Sequence, residues 1–305
     1  MQNEPAHRLV AIGECMVELA NAGEGLYRQG FAGDTFNTLW HFVRQAPAGW
    51  RGAYLTALGA DDTMSERMLA FFASAGIDTD TVRRIPGAAP GLYMIHLKDG
   101  ERSFSYWRDM AAAKQLAADA GHLAAVLETG EAFYFSGITL AILADPDRRR
   151  LLDHLSAAKR RGKTVAFDPN VRPRLWPAGM DTARHWVEAA ARVSTHLLPS
   201  FDDERATFGD VSPEHTAARY HALGASEVVV KDGGGEALVS SGGGAELAAV
   251  PCIAPAAVVD TTGAGDSFNA AYLAARLGGA GPADAALAGH RLASRVVAGH
   301  GALVG

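Results

Sequence analysis

Short apolar runs that end in glycine or a polar residue recur along this chain, and stretches with helical spacing lie between them. The run at 9–12 stops at Gly13, and "GAYLTALG" at 52–59 repeats the pattern before the helical "TMSERMLAFFASAG". The alternation continues through "EAFYFSGI", a helix over about 145–161, "KTVAFDPN", a helix over about 180–192, "THLLPS" and "ASEVVVKDGGG". Runs of this length, each followed by a helix, predict an α/β fold with a doubly wound, mostly parallel sheet flanked by helices. Ligands in such sheets bind beyond the carboxyl ends of the strands. Those positions hold Asp168, Asn170, Ser200, Lys231, Asp232 and Gly233.

Two regions depart from this rhythm, at about 13–33 and 88–109. In the second, "GLYMIHLKDGERSFSYWRD" alternates aromatic or branched residues around the turn "KDG". Both read as extra strands that form a small β-sheet lid on one domain spanning 1–305. Their apolar residues Leu92, Tyr93, Ile95, Phe104 and Trp107 are more than an isolated flap should leave in water, which predicts a homodimer or higher homo-oligomer formed through the lid. "SSGGGAEL" at 240–247 reads as a hairpin turn. "DRRRLLDHLSAAKRRGK" reads as a solvated helix face with Leu151, Leu152 and Leu155 on the buried side.

Composition narrows the class. The chain has 305 residues, 48% hydrophobic and 20% charged, with a formal net charge of −6, which suits a sizeable folded core and argues against nucleic-acid binding. No run approaches the roughly 20 apolar residues of a membrane span, and the N-terminus lacks a secretory pattern, so a cytoplasmic protein is expected. Cys15 and Cys252 are too few for a disulfide framework and are expected to be small buried hydrophobes.

The chemistry concentrates in "VVDTTGAGDSFNAAYLAARL" at 258–277. Gly263, Ala264 and Gly265 precede a helix whose first N–H groups have no internal acceptor, so they can converge on an anion with the helix dipole behind them. Asp266 at the mouth of such a nest would repel a phosphate unless its carboxylate had a task, such as accepting the proton of an attacking hydroxyl. That pairing suggests a kinase; helix capping by Asp266 is the simpler alternative. Neither a Walker A sequence nor a G-x-G-x-x-G turn after the first strand is present.

The stretch at 258–277 resembles the second signature of the PfkB, or ribokinase-like, carbohydrate kinases, and "GFAGDTFNT" at 30–38 resembles their first. The likeness runs over nearly the whole chain, through "TALGADD", "FDPNVR", "VVKDGGGEA" and "SRVVAGHGA". It implies a ribokinase-like fold, ATP and Mg2+ as cofactors with a monovalent cation as a further candidate, and Asp266 as the general base. Gly33, Asp34 and Asn37 then hold substrate hydroxyls, while Asn170, Ser200, Lys231, Gly233, Gly235 and the nest hold the nucleotide. Within the family, "GECMVELA", "PGLYMI", "ERSFSYWRDMAAAK", "FSGITLAIL" and "FDPNVRPRLW" resemble members whose substrate is a 2-keto-3-deoxy sugar acid. A substrate carboxylate is best met by an arginine fork, for which Arg108 beside Tyr106 is the candidate, with Tyr93 and Tyr106 covering the sugar. Arg172 is expected on the substrate or the transferring phosphate. The family's Asn-x-x-Glu, associated with magnesium and phosphate, is replaced here by Ser200 and Asp203, so Asp203 is expected to reach a metal through water. Ala32 stands where many relatives have glycine. A fructokinase-like enzyme with a neutral substrate, and a catalytically silent sugar-binding regulator on the same fold, are the alternatives.

Overall fold

The computed structural model describes residues 7–98 and 101–304; the "DG" of the expected lid turn lies outside them. In chain order the strands are β1 (His7–Ile12), β2 (Met16–Gly23), β3 (Leu26–Ala32), β4 (Trp50–Leu55), β5 (Ala57–Gly59), β6 (Ile77–Asp78), β7 (Arg83–Ile85), β8 (Leu92–Lys98), β9 (Glu101–Trp107), β10 (Ala132–Ser136), β11 (Thr164–Asp168), β12 (His196–Leu197), β13 (Glu227–Val230), β14 (Ala237–Ser241) and β15 (Glu246–Val250). The helices are α1 (Asp34–Gln45), α2 (Thr63–Ser74), α3 (Ala120–Thr129), α4 (Gly137–Ile142), α5 (Asp145–Arg160), α6 (Met180–Val193), α7 (Phe201–Phe208), α8 (Pro213–Ala222), α9 (Ala264–Leu277) and α10 (Pro282–Val296).

The main sheet runs β15-β14-β13-β12-β11-β10-β1-β4-β6. From β13 through β6 the pairs are parallel; β13-β14 and β14-β15 are antiparallel, and the glycine-rich stretch forms the β14-β15 hairpin. Strand alternation divides the core. Val10, Ile12, Phe133, Phe135, Val165 and Phe167 pack on one face with α3, α5 and α6, including Leu151, Leu152 and Leu155. Leu9, Ala11, Tyr54, Ala132, Tyr134 and Ala166 face the other way, against α1, α2, α9 and α10. Burial on both faces is why these strands read as continuous apolar runs.

A separate sheet, ordered β3-β2-β8-β9, forms the lid. Tyr93 and Ile95 point inward and are 9% exposed, contrary to the expected outer apolar surface, because alternate residues of β8 turn toward Met16 and Ala32. The exposed large apolar residues of the lid are Leu26 and Tyr27 of β3 and Phe104, Tyr106 and Trp107 of β9, with Met110 just beyond. The stretch at 52–59 is also divided: β4 ends at Leu55, and β5 leaves the main sheet to pair with β7. Cys15 is buried, whereas Cys252 is only half-buried, because the irregular segment after β15 lies at a cavity wall.

Candidate active site

Helix α9 begins at the carboxyl ends of the central strands, and two lobes of one cleft meet at its first turn. The larger, of about 400 Å³, is lined by the lid residues Met16, Tyr93, Phe104 and Tyr106 and by Gly33, Asp34, Asn37, Asp168, Asn170, Arg172 and Asp203. The second, of about 340 Å³, is mostly apolar and is lined by Gly233, Cys252, Ile253, Val258, Phe268 and His290. Ser200, Lys231, Thr261, Ala264 and Gly265 line both. A molecule in each lobe would therefore meet its neighbour over the glycine turn, beside Asp266.

Gly263 takes the left-handed conformation, with φ 77°, that starts α9, and a Cβ on it would sit 2.7 Å from the Ala302 Cβ. The Ala264 N–H donates to the Thr261 carbonyl at 3.2 Å and so closes the turn rather than serving an anion. Among the described residues, the Gly263 and Gly265 amides have no protein acceptor. They stand at a helix N-terminus that already favours negative charge.

Three carboxylates and one ammonium order the floor. Asn37 Nδ2 donates to Asp266 Oδ2 at 2.8 Å, and Asn170 Nδ2 donates to Asp34 Oδ2 at 2.8 Å. Lys231 Nζ donates to Asp168 Oδ2 at 3.0 Å and to Asn269 Oδ1 at 2.9 Å; Asn269 Nδ2 in turn donates to Asp168 at 2.7 Å. Asn170 adopts a positive φ of 35°, held by its own N–H on Asp168 Oδ1, a strain of the kind concentrated at functional sites. Burial first, then the Asp34 and Asp168 charges, push the Asp266 carboxyl up to about 8 against the opposing pull of Asn37 and Lys231. Asp34 is also raised by burial, against hydrogen bonds from Ser136, Asn170 and the Thr35 amide.

Asp203 accepts from Arg172 Nη1 at 3.2 Å, and both open onto the cavity. Burial raises the Asp203 carboxyl, with Arg172 drawing it down. Asp34, Asp168, Asp203 and Asp266 outnumber Lys231 and Arg172 in this lobe, so a polyphosphate needs an additional cation to sit there. Among the described residues no three His, Cys, Asp or Glu side chains gather as a direct ligand set. Hard carboxylate oxygens without a closed cage fit hydrated Mg2+, which retains waters and binds phosphate oxygens.

Not every expected residue reaches the cleft. Gly235 lies past the wall, its N–H closing a turn on Asp232 O at 2.6 Å, whereas Gly233 lines the apolar lobe. Tyr93 lines the sugar-sized lobe, but its hydroxyl donates to Glu18. Arg108 is absent from both linings and donates through Nη2 to the buried Glu14. Sequence reasoning missed Glu14, Asn269 and Tyr134, whose hydroxyl accepts from Asn269 at 3.1 Å. Asn269 follows Asp266 by three positions on α9, a helical spacing that puts both on one side and offered a signal.

Comparison with known proteins agrees with this architecture. Residues 6–304 match the pfkB family carbohydrate kinases. The chain is 42% identical over 302 residues to the 2-dehydro-3-deoxygluconokinase of Dickeya dadantii, covering 97% of this chain and 96% of that protein. Its fold superposes on a PfkB protein from Polaromonas sp. JS666 with a TM-score of 0.85 at 27% identity, covering 96% and 97% of the two chains. It also superposes on a Ribokinase II–type protein of Escherichia coli solved with ATP and Mg2+, with a TM-score of 0.84 at 23% identity, covering 97% and 94%. The chain belongs to the pfkB family of carbohydrate kinases and has the ribokinase-like α/β fold.

Proposed function

We propose that this chain transfers the γ-phosphoryl group of ATP to the 6-hydroxyl of 2-keto-3-deoxygluconate, giving 2-keto-3-deoxy-6-phosphogluconate. The observation that carries the reading is Asp266 at the junction of a polar sugar-sized lobe and an apolar lobe suited to a nucleobase, directly after the Gly263–Gly265 turn. The 42% identity to a 2-dehydro-3-deoxygluconokinase over nearly the full chain supports the substrate.

In this reading the keto acid lies under Tyr93 and Tyr106, with hydroxyls on Gly33, Asp34 and Asn37, and its carboxylate toward Arg108 or Arg172. Asp266 accepts the proton of the 6-hydroxyl as that oxygen attacks. Charge that develops on the transferring group is met by the Gly263 and Gly265 amides and by Lys231, which Asp168 and Asn269 hold in place. Asn170, Ser200 and Gly233 border the phosphates and nucleoside. Asp203 would hold magnesium through water, and the ion would supply neutralisation of phosphate charge. The lid excludes water that would compete as a nucleophile.

Two copies pair through the exposed lid residues Phe104, Tyr106 and Trp107. No helix among the described residues is long and apolar enough to cross a membrane. Dependence on ATP and the free thiols Cys15 and Cys252 support a cytoplasmic setting.

One observation favours a neutral substrate instead: Arg108 already has a carboxylate partner in Glu14 and does not line the cavity. ADP release measured with 2-keto-3-deoxygluconate, fructose and ribose side by side separates the readings. Preferential turnover of the keto acid is expected. Efficient use of fructose with no use of the keto acid would assign the neutral-sugar activity.

A further inference from the structure

Arg108 is tied to the protein by a carboxylate that the chain hides. Glu14 lies in the link between β1 and β2 with its side chain 1% exposed. Its Oε2 accepts from Arg108 Nη2, and its Oε1 is buried with no partner. The neighbouring Gly91 makes room for this pair: a Cβ there would lie 2.7 Å from Glu14 Oε1 and 3.2 Å from the Arg108 Cβ. Hiding a carboxylate with one oxygen unsatisfied is costly, and a cation alone does not require it, since an exposed acid would pair with Arg108 at less expense in desolvation.

The placement explains the arrangement. Phe104 and Tyr106 of β9 line the sugar-sized lobe, and Arg108 follows directly after that strand, two positions beyond Tyr106. Two strands away, Met16 opens β2 and lines that lobe, and Glu14 precedes it by two positions in the link from β1. Among the described residues Glu14 is the only hydrogen-bond partner of the Arg108 guanidinium. The Arg108 side chain keeps 12% of its surface exposed, against 1% for Glu14.

We infer that Glu14 is a positioning residue for recognition of an acidic sugar: it grips Arg108 from the protein side through Nη2 and so fixes the guanidinium plane whose remaining donors meet the carboxylate of the substrate. This rests on the sugar-acid reading above and deepens it. A guanidinium suits the task because its five donors lie in one rigid plane, so fixing one corner fixes the others. An ammonium would have no second edge to offer.

The test uses Glu14→Gln, which keeps the volume and one acceptor while removing the charge, with KM and kcat measured separately. The expected result is a KM for 2-keto-3-deoxygluconate raised about tenfold or more, with kcat within about threefold, the pattern of lost ground-state binding. Arg108→Met alone strands a buried carboxylate and so endangers folding. The double variant Glu14→Gln, Arg108→Met removes both charges and provides the control. A residue that acts through Arg108 has nothing left to position in its absence, so the double variant should bind the keto acid no worse than Arg108→Met. An unchanged KM in Glu14→Gln, or a Glu14→Gln loss that appears in full on the Arg108→Met background, overturns the inference while leaving the sugar-acid reading intact. A native enzyme that uses fructose and not the keto acid overturns both. Should Glu14→Gln fail to fold, the carboxylate is structural, and a folded double variant that matches native KM for the keto acid overturns the inference on its own.

Discussion

Asn37 on α1 and Asp266 on α9 are 229 positions apart in sequence, and the amide of the first donates to the carboxylate of the second at 2.8 Å. This bond joins the glycine turn that opens α1 to the one that opens α9, because the Asn37 side chain also accepts from the Gly33 N–H at 3.3 Å. It stabilises the ionised form of a carboxyl that burial, even against this bond, pushes up to about 8. Asp266→Asn is expected to fold and bind ATP while turnover falls by about 10² to 10⁴, the contribution of a positioned general base. Near-native turnover would exclude that role. The base must be ionised to act, so kcat/KM for the native enzyme should rise with pH through the Asp266 titration. Asn37→Leu removes a hydrogen bond to the charged form, which raises the pKa further. Its acid limb should therefore move to higher pH, and a limb that stays in place would show that Asn37 does not tune the base.

Stability carries the same signature with the opposite sense. Asp266 titrates near 3.8 in an unfolded chain and near 8 in the fold, so between those values the folded state holds a proton that the unfolded state has released. This group's stabilising contribution is fully present below about pH 4 and is lost as pH rises toward 8. Asp266→Asn lacks that dependence. Thermal melts of the ligand-free proteins should show the variant gaining on the native chain from pH 5 to pH 8.5, and a gap that narrows over this range contradicts a raised folded pKa.

The sheet and the glycine turn were legible because their signals are local. Runs such as 132–136 are apolar on both faces, and Gly263 stands immediately before a helix that opens on Ala264 and Gly265 and has its acid in the first turn. β6 and β7, by contrast, have two and three residues and include polar ones, so only their neighbours make them strands. Glu14 and Asn269 escaped notice for a related reason. A glutamate after a strand and an asparagine inside a helix acquire meaning from partners 94 and 101 positions away. Arg108 shows the converse: its type and neighbours suggested a free fork, and nothing local to it indicated that Glu14 would take one corner.

The lid leaves Phe104 40%, Tyr106 48% and Trp107 58% exposed, close together on the outermost strand β9. An edge strand with such residues presents both unpaired backbone groups and apolar area to a second copy. Sedimentation at micromolar concentration should report a dimer for the native chain and a shift to monomer for Trp107→Glu. A native monomer at that concentration excludes lid pairing.

Arg108 decides between an acidic and a neutral substrate. Arg108→Lys conserves charge but cannot span Glu14 on one side and a carboxylate on the other, because an ammonium is a compact point charge without a planar fork. It should therefore lower kcat/KM for 2-keto-3-deoxygluconate markedly. Arg108→Met should be worse, by about 2 to 4 kcal/mol or roughly 30- to 1,000-fold, since the substrate carboxylate is then desolvated without its partner. Part of any general loss of stability in that variant comes from the stranded Glu14, so both activities are compared on the same preparation. Fructose, which has no carboxylate to lose, should be a poor substrate for the native enzyme and should be affected far less by either change. If the keto acid is used as well by Arg108→Met as by the native chain, Arg172, the arginine that lines the cavity, becomes the candidate, and Arg172→Met with the same two sugars tests it in turn.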